Sequence, residues 1–125
     1  MITIEQLKEV KERTESLNRY LDIDGKKMQY EEEQLRTQDP GFWEDAKRAE
    51  AQMKLVKGLE KWIKGYAAVE TLASELETAY EFFREELVSE AEVDELYARA
   101  LTALEDLELK NMLRREEDSM DTVLK

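Results

Sequence analysis

Carboxylates are the only abundant reactive groups in this sequence: 31 Asp or Glu stand against 19 Lys or Arg, and there is neither cysteine nor histidine. Their absence removes thiolate nucleophiles, disulfides, the usual zinc sites and the commonest general base near neutral pH. Paired glutamates in a helical bundle hold a di-metal centre together with a Glu-x-x-His pattern from two helices; with no histidine, no metal site is expected. Gly25, Gly41, Gly58 and Gly65 are isolated, so no glycine-rich phosphate loop is present. No catalytic and no cofactor-binding residue is therefore assigned. What remains for the carboxylates is electrostatics, and they crowd one stretch: Glu81, Glu85, Glu86, Glu90, Glu92, Asp94 and Glu95, with Arg84 the only positive charge among them. Two readings stand for that stretch. One is solubility; the other is docking on a basic protein, steered electrostatically, with Glu85, Glu86, Glu90 and Glu92 as the partner-binding candidates.

The charge is unevenly placed. Met1 to Trp62 carries 12 basic against 14 acidic residues, a net −2, whereas Ile63 to Lys125 carries 7 against 17, a net −10. The acidic half repels phosphate backbones, so direct nucleic-acid binding is not expected there. No apolar run approaches the roughly 18 residues of a membrane span, and "MITIEQLKEV" becomes charged too early for a signal peptide. These features point to a cytoplasmic protein without a membrane partner.

With 40% charged residues, four glycines and one proline, the composition is that of a helical bundle or coiled coil. The first helix opens with Thr3 as N-cap, Gln6 as its capping-box partner, and Ile2 with Leu7 as a hydrophobic staple. Its stripe is Ile4, Leu7, Val10, Leu17 and Leu21, with Thr14 in the intervening slot, narrow enough that its partner must be another helix. Asp22, Asp24 and Gly25 are poor helix-interior residues, and either aspartate can cap a restarted helix, so a kink or break is expected near residues 22–25. Met28 and Leu35 then resume the stripe, and the helix ends near Gln38 because Pro40 disfavours helical geometry at Asp39.

The second, long helix is expected over Ala46–Leu87, capped by Asp45. Apolar residues at Ala49, Met53, Val56, Leu59, Ile63, Tyr66, Val69, Ala73, Leu76, Tyr80, Phe83 and Leu87 recur at close to the coiled-coil period of about 3.5. Ser89 and Glu92, with Val88 and Val93 as staple, repeat the start signal, and so short a connection folds the third helix back antiparallel. That helix carries Val93, Leu96 or Tyr97, Ala100, Leu104 and Leu107 and should end near Met112 or Leu113. Val123 and Leu124 look like the beginning of an extended segment. The fold class is therefore an all-α, antiparallel three-helix coiled-coil-like bundle with one long central helix. Residues 1–113 are expected to form the bundle, and 114–125 to be either a frayed tail or, on the sharper reading, a linker and the start of a further domain.

Between the first two helices lies "DPGFWEDAKRAEAQ", where Phe42 and Trp43 are expected to plug the open end of the bundle. Gly58 and Gly65, seven residues apart on the long helix, are either surface glycines or points of close helix approach. Trp62 either widens the core stripe or anchors a partner. The bundle reads as a monomer; a free-standing structural coiled coil that self-associates is the alternative.

Three segments together resemble one family. "RYLDIDGKK" (19–27), "DPGFWEDAKRAEAQ" (39–52) and "LELKNMLRREED" (107–118) are similar, in that order, to the amino-terminal region of bacterial peptide chain release factor 2. Phe42, Trp43, Asp22 and Asp24 are the signature residues. The resemblance implies a full-length class I release factor that acts at UGA and UAA codons through a Ser-Pro-Phe loop and hydrolyses peptidyl-tRNA through a Gly-Gly-Gln motif. Neither motif is in this sequence, so it is expected to be a first domain without termination activity of its own, and not an enzyme. The partners implied are the ribosome, at a protein of the large-subunit stalk base, and the GTPase that recycles release factors.

Overall fold

The protein is described here by a computed structural model covering residues 1–124, with side chains described through Arg115. Its elements in chain order are α1 (Ile4–Leu21), α2 (Ile23–Arg36), a 3₁₀ turn (Pro40–Glu44), α3 (Ala46–Arg84) and α4 (Glu90–Leu124). Among the described residues there is no strand, and the fold is an all-α bundle. Two compact units divide it: Met1–Leu17 with Ala67–Lys125, and Asn18–Tyr66.

In the first unit, α1, the second half of α3 and α4 each bury one stripe. Ile2, Leu7, Val10 and Leu17 are buried, as are Val69, Ala73, Leu76 and Ala79 of α3 and Val93, Ala100, Leu104 and Leu107 of α4. At about 1.5 to 3 kcal/mol for each large side chain taken out of water, this triple seam is the main source of stability. Pairing fixes the directions. The Met1 amine lies 3.3 Å from Asp94, while Arg13 donates through Nε to Glu108 at 3.2 Å, so α1 and α4 run parallel and both oppose α3. Lys11 joins α1 to Glu77 of α3 at 3.0 Å. Thr14, in the stripe slot, hides its hydroxyl by donating to the Val10 carbonyl at 2.7 Å.

The capping box at Thr3 forms in both directions: the Thr3 amide donates to Gln6 Oε1 at 2.8 Å and the Gln6 amide to Thr3 Oγ1 at 3.2 Å. The expected break is one residue wide. Asp22 adopts φ 50° and ψ 57°, a left-handed conformation, and its carboxylate accepts from the Gly25 amide at 3.3 Å. Asp22, not Asp24, is therefore the cap; Asp24 is an exposed acid in the first turn of α2, favourably placed against the helix dipole.

In the second unit α2 returns along the first half of α3, whose buried residues are Ala49, Val56, Leu59 and Tyr66. Here the structure corrects the sequence reading. Met28 and Leu35 do not resume the buried stripe: they are 66% and 64% exposed, whereas the acidic Glu33 is buried at 7%. The face turned inward is Ile23, Lys26, Tyr30 and Glu33. Glu33 tolerates burial because Gln52 of α3 donates to both its carbonyl, at 3.0 Å, and its carboxylate, while Arg36 lies 3.3 Å away. A buried carboxylate with two polar partners, Gln52 and Arg36, replaces an apolar contact.

Two helix ends also differ from expectation. α3 stops at Arg84, three residues before Leu87, which is 66% exposed. α4 continues past Leu113 to Leu124, so Val123 and Leu124 are helical, not extended; side chains from Glu116 onward lie outside the described residues. At Gly58 an added Cβ would meet nothing within 4 Å, which decides for the surface-glycine reading there. Trp62 and Ile63 are both half-buried.

Candidate functional site

The carboxylates singled out in the sequence meet at the hairpin tip between α3 and α4. α3 ends in a Schellman motif: the Leu87 amide donates to the Phe82 carbonyl at 2.8 Å, and the Glu86 amide to the Phe83 carbonyl at 2.9 Å. The residue that must turn left-handed in this motif is usually glycine, yet here it is Glu86, at φ 62°. Three residues later Ser89 caps α4, accepting from the Glu92 amide at 3.3 Å. Glu85, Glu86, Glu90 and Glu92 are all exposed.

These four glutamates are not equivalent. Glu90 and Glu92 sit in the first turn of α4, where the helix dipole favours negative charge. Glu90 also lies 3.7 Å from the Met1 amine. Glu85 and Glu86 follow the last turn of α3, against the negative pole, where a carboxylate costs stability. Phe82 (43% exposed) and Leu87 (66%) stand beside them, giving the tip an apolar element that charge counting missed. Among the described residues, no three carboxylates converge as metal ligands.

The connector is built differently from its expected role. Asp39 caps the 3₁₀ turn by accepting from the Gly41 amide at 3.0 Å, and Asp45 caps α3, accepting from the amides of Lys47 and Arg48 at 3.1 and 3.2 Å. Phe42 and Trp43 stack edge to face, ring centroids 4.8 Å apart, but they do not seal the bundle: Trp43 is 60% exposed and Phe42 only half-buried. Neighbouring residues of a 3₁₀ turn point about 120° apart, so both rings cannot face one core, and they pack on each other. Phe42 instead lines a cleft of about 330 Å³ with Arg36, Asp39, Asp45, Arg48 and Gln52.

Comparison with known proteins places this architecture. The family model described as the PCRF domain matches residues 26–125. The chain belongs to the PCRF domain family. Two of the three signature segments, 39–52 and 107–118, fall within that match, and the helix break at Asp22 precedes it. The PCRF domain here is similar to curated relatives named peptide chain release factor 2. It is 36% identical over 126 residues to that of Tolumonas auensis, with 94% of this chain and 33% of the relative covered. The values are 34% over 128 residues, 95% and 33% for Proteus mirabilis, and 31% over 121 residues, 92% and 32% for an Acidovorax species. The chain thus spans about a third of the length of the relatives it matches.

Proposed function

We propose that this PCRF domain is the amino-terminal helical domain of a class I peptide chain release factor, contributing a protein-docking module to a cytoplasmic factor that terminates translation on the ribosome at UGA and UAA codons. The observation that carries the reading is the alignment of nearly the whole chain with one third of proteins named peptide chain release factor 2. The sequence supports a non-catalytic role, having no Gly-Gly pair and no Ser-Pro-Phe.

Within that reading, the hairpin tip is the docking element. Glu85 and Glu86 oppose the helix dipole, and Glu86 takes the left-handed position where glycine is usual; charge kept at two positions that do not favour it supports a role beyond folding. The partner that fits is a basic protein of the large-subunit stalk base or the recycling GTPase, met first through long-range charge. Reversing charge at Glu85, Glu86, Glu90 and Glu92 in the full-length factor is expected to slow ribosome association at least tenfold at low salt and to impair GTPase-dependent recycling. Unchanged rates would reduce the tip to a solubility feature.

A second reading, a self-associating coiled coil, draws on Leu109, Met112 and Leu113 of α4, which are each about half exposed at i, i+3, i+4 spacing. Sedimentation separates the two: a monomer across the micromolar range supports the docking module, and a concentration-dependent dimer supports the coiled coil.

A further inference from the structure

The outward face of α2 carries an apolar stripe for which the fold has no use. At about 100° per residue, Met28 and Leu35 lie within roughly 20° of each other and about 180° round the helix from the inward line of Ile23, Lys26, Tyr30 and Glu33. They are 66% and 64% exposed, separated by one heptad, or roughly 10 Å along the axis. Asp24, Glu31 and Glu32 flank the stripe, and all three are exposed. Among the described residues, none of the three is within salt-bridge distance of a cation. The nearest cations on α2 are Lys27, one turn from Asp24 and Glu31, and Arg36, one turn from Glu32; both stand roughly 90° from the stripe itself, and Arg36 is engaged with Glu33.

We infer that this face is a second docking surface, and that its occupant is a basic amphipathic helix of another protein, seating apolar residues between Met28 and Leu35 and Lys or Arg against Asp24, Glu31 and Glu32. Charge selects the occupant. A second copy of this chain joined through the same face would set Glu31 and Glu32 against themselves across a two-fold axis. An anionic membrane surface and a phosphate backbone are repelled for the same reason. One-heptad spacing along the axis matches the register of a partner helix. This surface lies in the unit Asn18–Tyr66 and the acidic tip in the other, so it stands or falls independently of the tip.

The probe is a synthetic 18-residue helical peptide with leucines at heptad spacing flanked by lysines, titrated into the isotope-labelled chain while amide resonances are followed. The control is a peptide of the same composition with the leucines scattered around the helix. Perturbations centred on residues 24–36, binding about tenfold weaker for the control, and a similar loss in Met28→Ser/Leu35→Ser are expected, because the two side chains carry the contact. Glu31→Gln/Glu32→Gln should weaken binding several-fold and flatten its salt dependence. If the double serine variant loses helicity by circular dichroism, Met28→Gln/Leu35→Gln takes its place. Perturbations centred on residues 85–92, equal binding of the control, or undiminished binding by a folded stripe variant would each overturn the proposal.

Discussion

At the scale of single residues, the break between α1 and α2 rests on one carboxylate and one missing methyl group. The Asp22 side chain reaches the Gly25 amide only because nothing occupies the space beside it. A Cβ at Gly25 would stand 2.3 Å from Asp22 Oδ2 and 2.8 Å from its Cγ. The aspartate is too short to cap from elsewhere, so the added methyl group must expel it. Alanine at an ordinary helical position gains roughly 0.5 to 1 kcal/mol over glycine, whereas loss of an N-cap costs about 1 kcal/mol, up to 2. In Gly25→Ala the lost cap and the clash should outweigh the propensity gain, giving a net destabilisation of about 1 kcal/mol by urea denaturation. Pairing it with Asp22→Ala tests the cause: with the carboxylate already gone, the Gly25→Ala change should become neutral or stabilising, and an undiminished penalty would place the strain elsewhere.

At the scale of elements, the sequence was legible where the signal is local. The Thr3–Gln6 box, the Ser89 cap, the Asp45 cap and the stop before Pro40 all depend on residues within four positions of one another. The face that α2 turns inward was not legible. Periodicity groups Met28 with Leu35, but it does not say whether that group or the one containing Glu33 faces α3; Gln52 and Arg36, which make burial of Glu33 tolerable, are visible only once the helices are paired. The aromatic connector misled for a related reason: Phe42 and Trp43 are large enough to plug a core, but the 3₁₀ turn points neighbouring side chains about 120° apart and leaves Trp43 60% exposed. Charge pairs between helices are of the same kind. The hydrogen bond from Lys11 to Glu77, and the charge of that carboxylate, hold the lysine above its usual 10.5. A group raised in the folded state contributes fully below its unfolded value and loses that contribution as pH climbs through the folded one. A double-mutant cycle of Lys11→Ala and Glu77→Ala should therefore show roughly 0.2 to 1 kcal/mol of coupling at neutral pH, the range for exposed pairs. That coupling should persist to about pH 10 and fade above it; coupling that fades below pH 9 would contradict the pairing.

For the whole molecule, the question is whether the two compact units unfold together. α1 and α3 both run without interruption from one unit into the other, with α3 continuous over Ala46–Arg84. Unfolding one unit would leave the other with frayed ends on both continuous helices, which favours a single transition. The chain carries a convenient asymmetry for testing this. Trp43 and Trp62 both belong to the unit Asn18–Tyr66, so tryptophan emission reports that unit alone, while helical circular dichroism reports both. Leu104 of α4, in the other unit, is fully buried at 0% exposure. Leu104→Ala removes its packing and leaves a cavity, at a cost of about 2 to 5 kcal/mol. If the helices couple the units, emission and circular dichroism should move to lower denaturant by the same amount, although neither tryptophan lies in the unit that carries the substitution. A circular-dichroism midpoint that shifts while the tryptophan midpoint stays in place would mean that α1 and α3 yield at residues 17–18 and 66–67, and that the units are independent folding blocks joined by continuous helices.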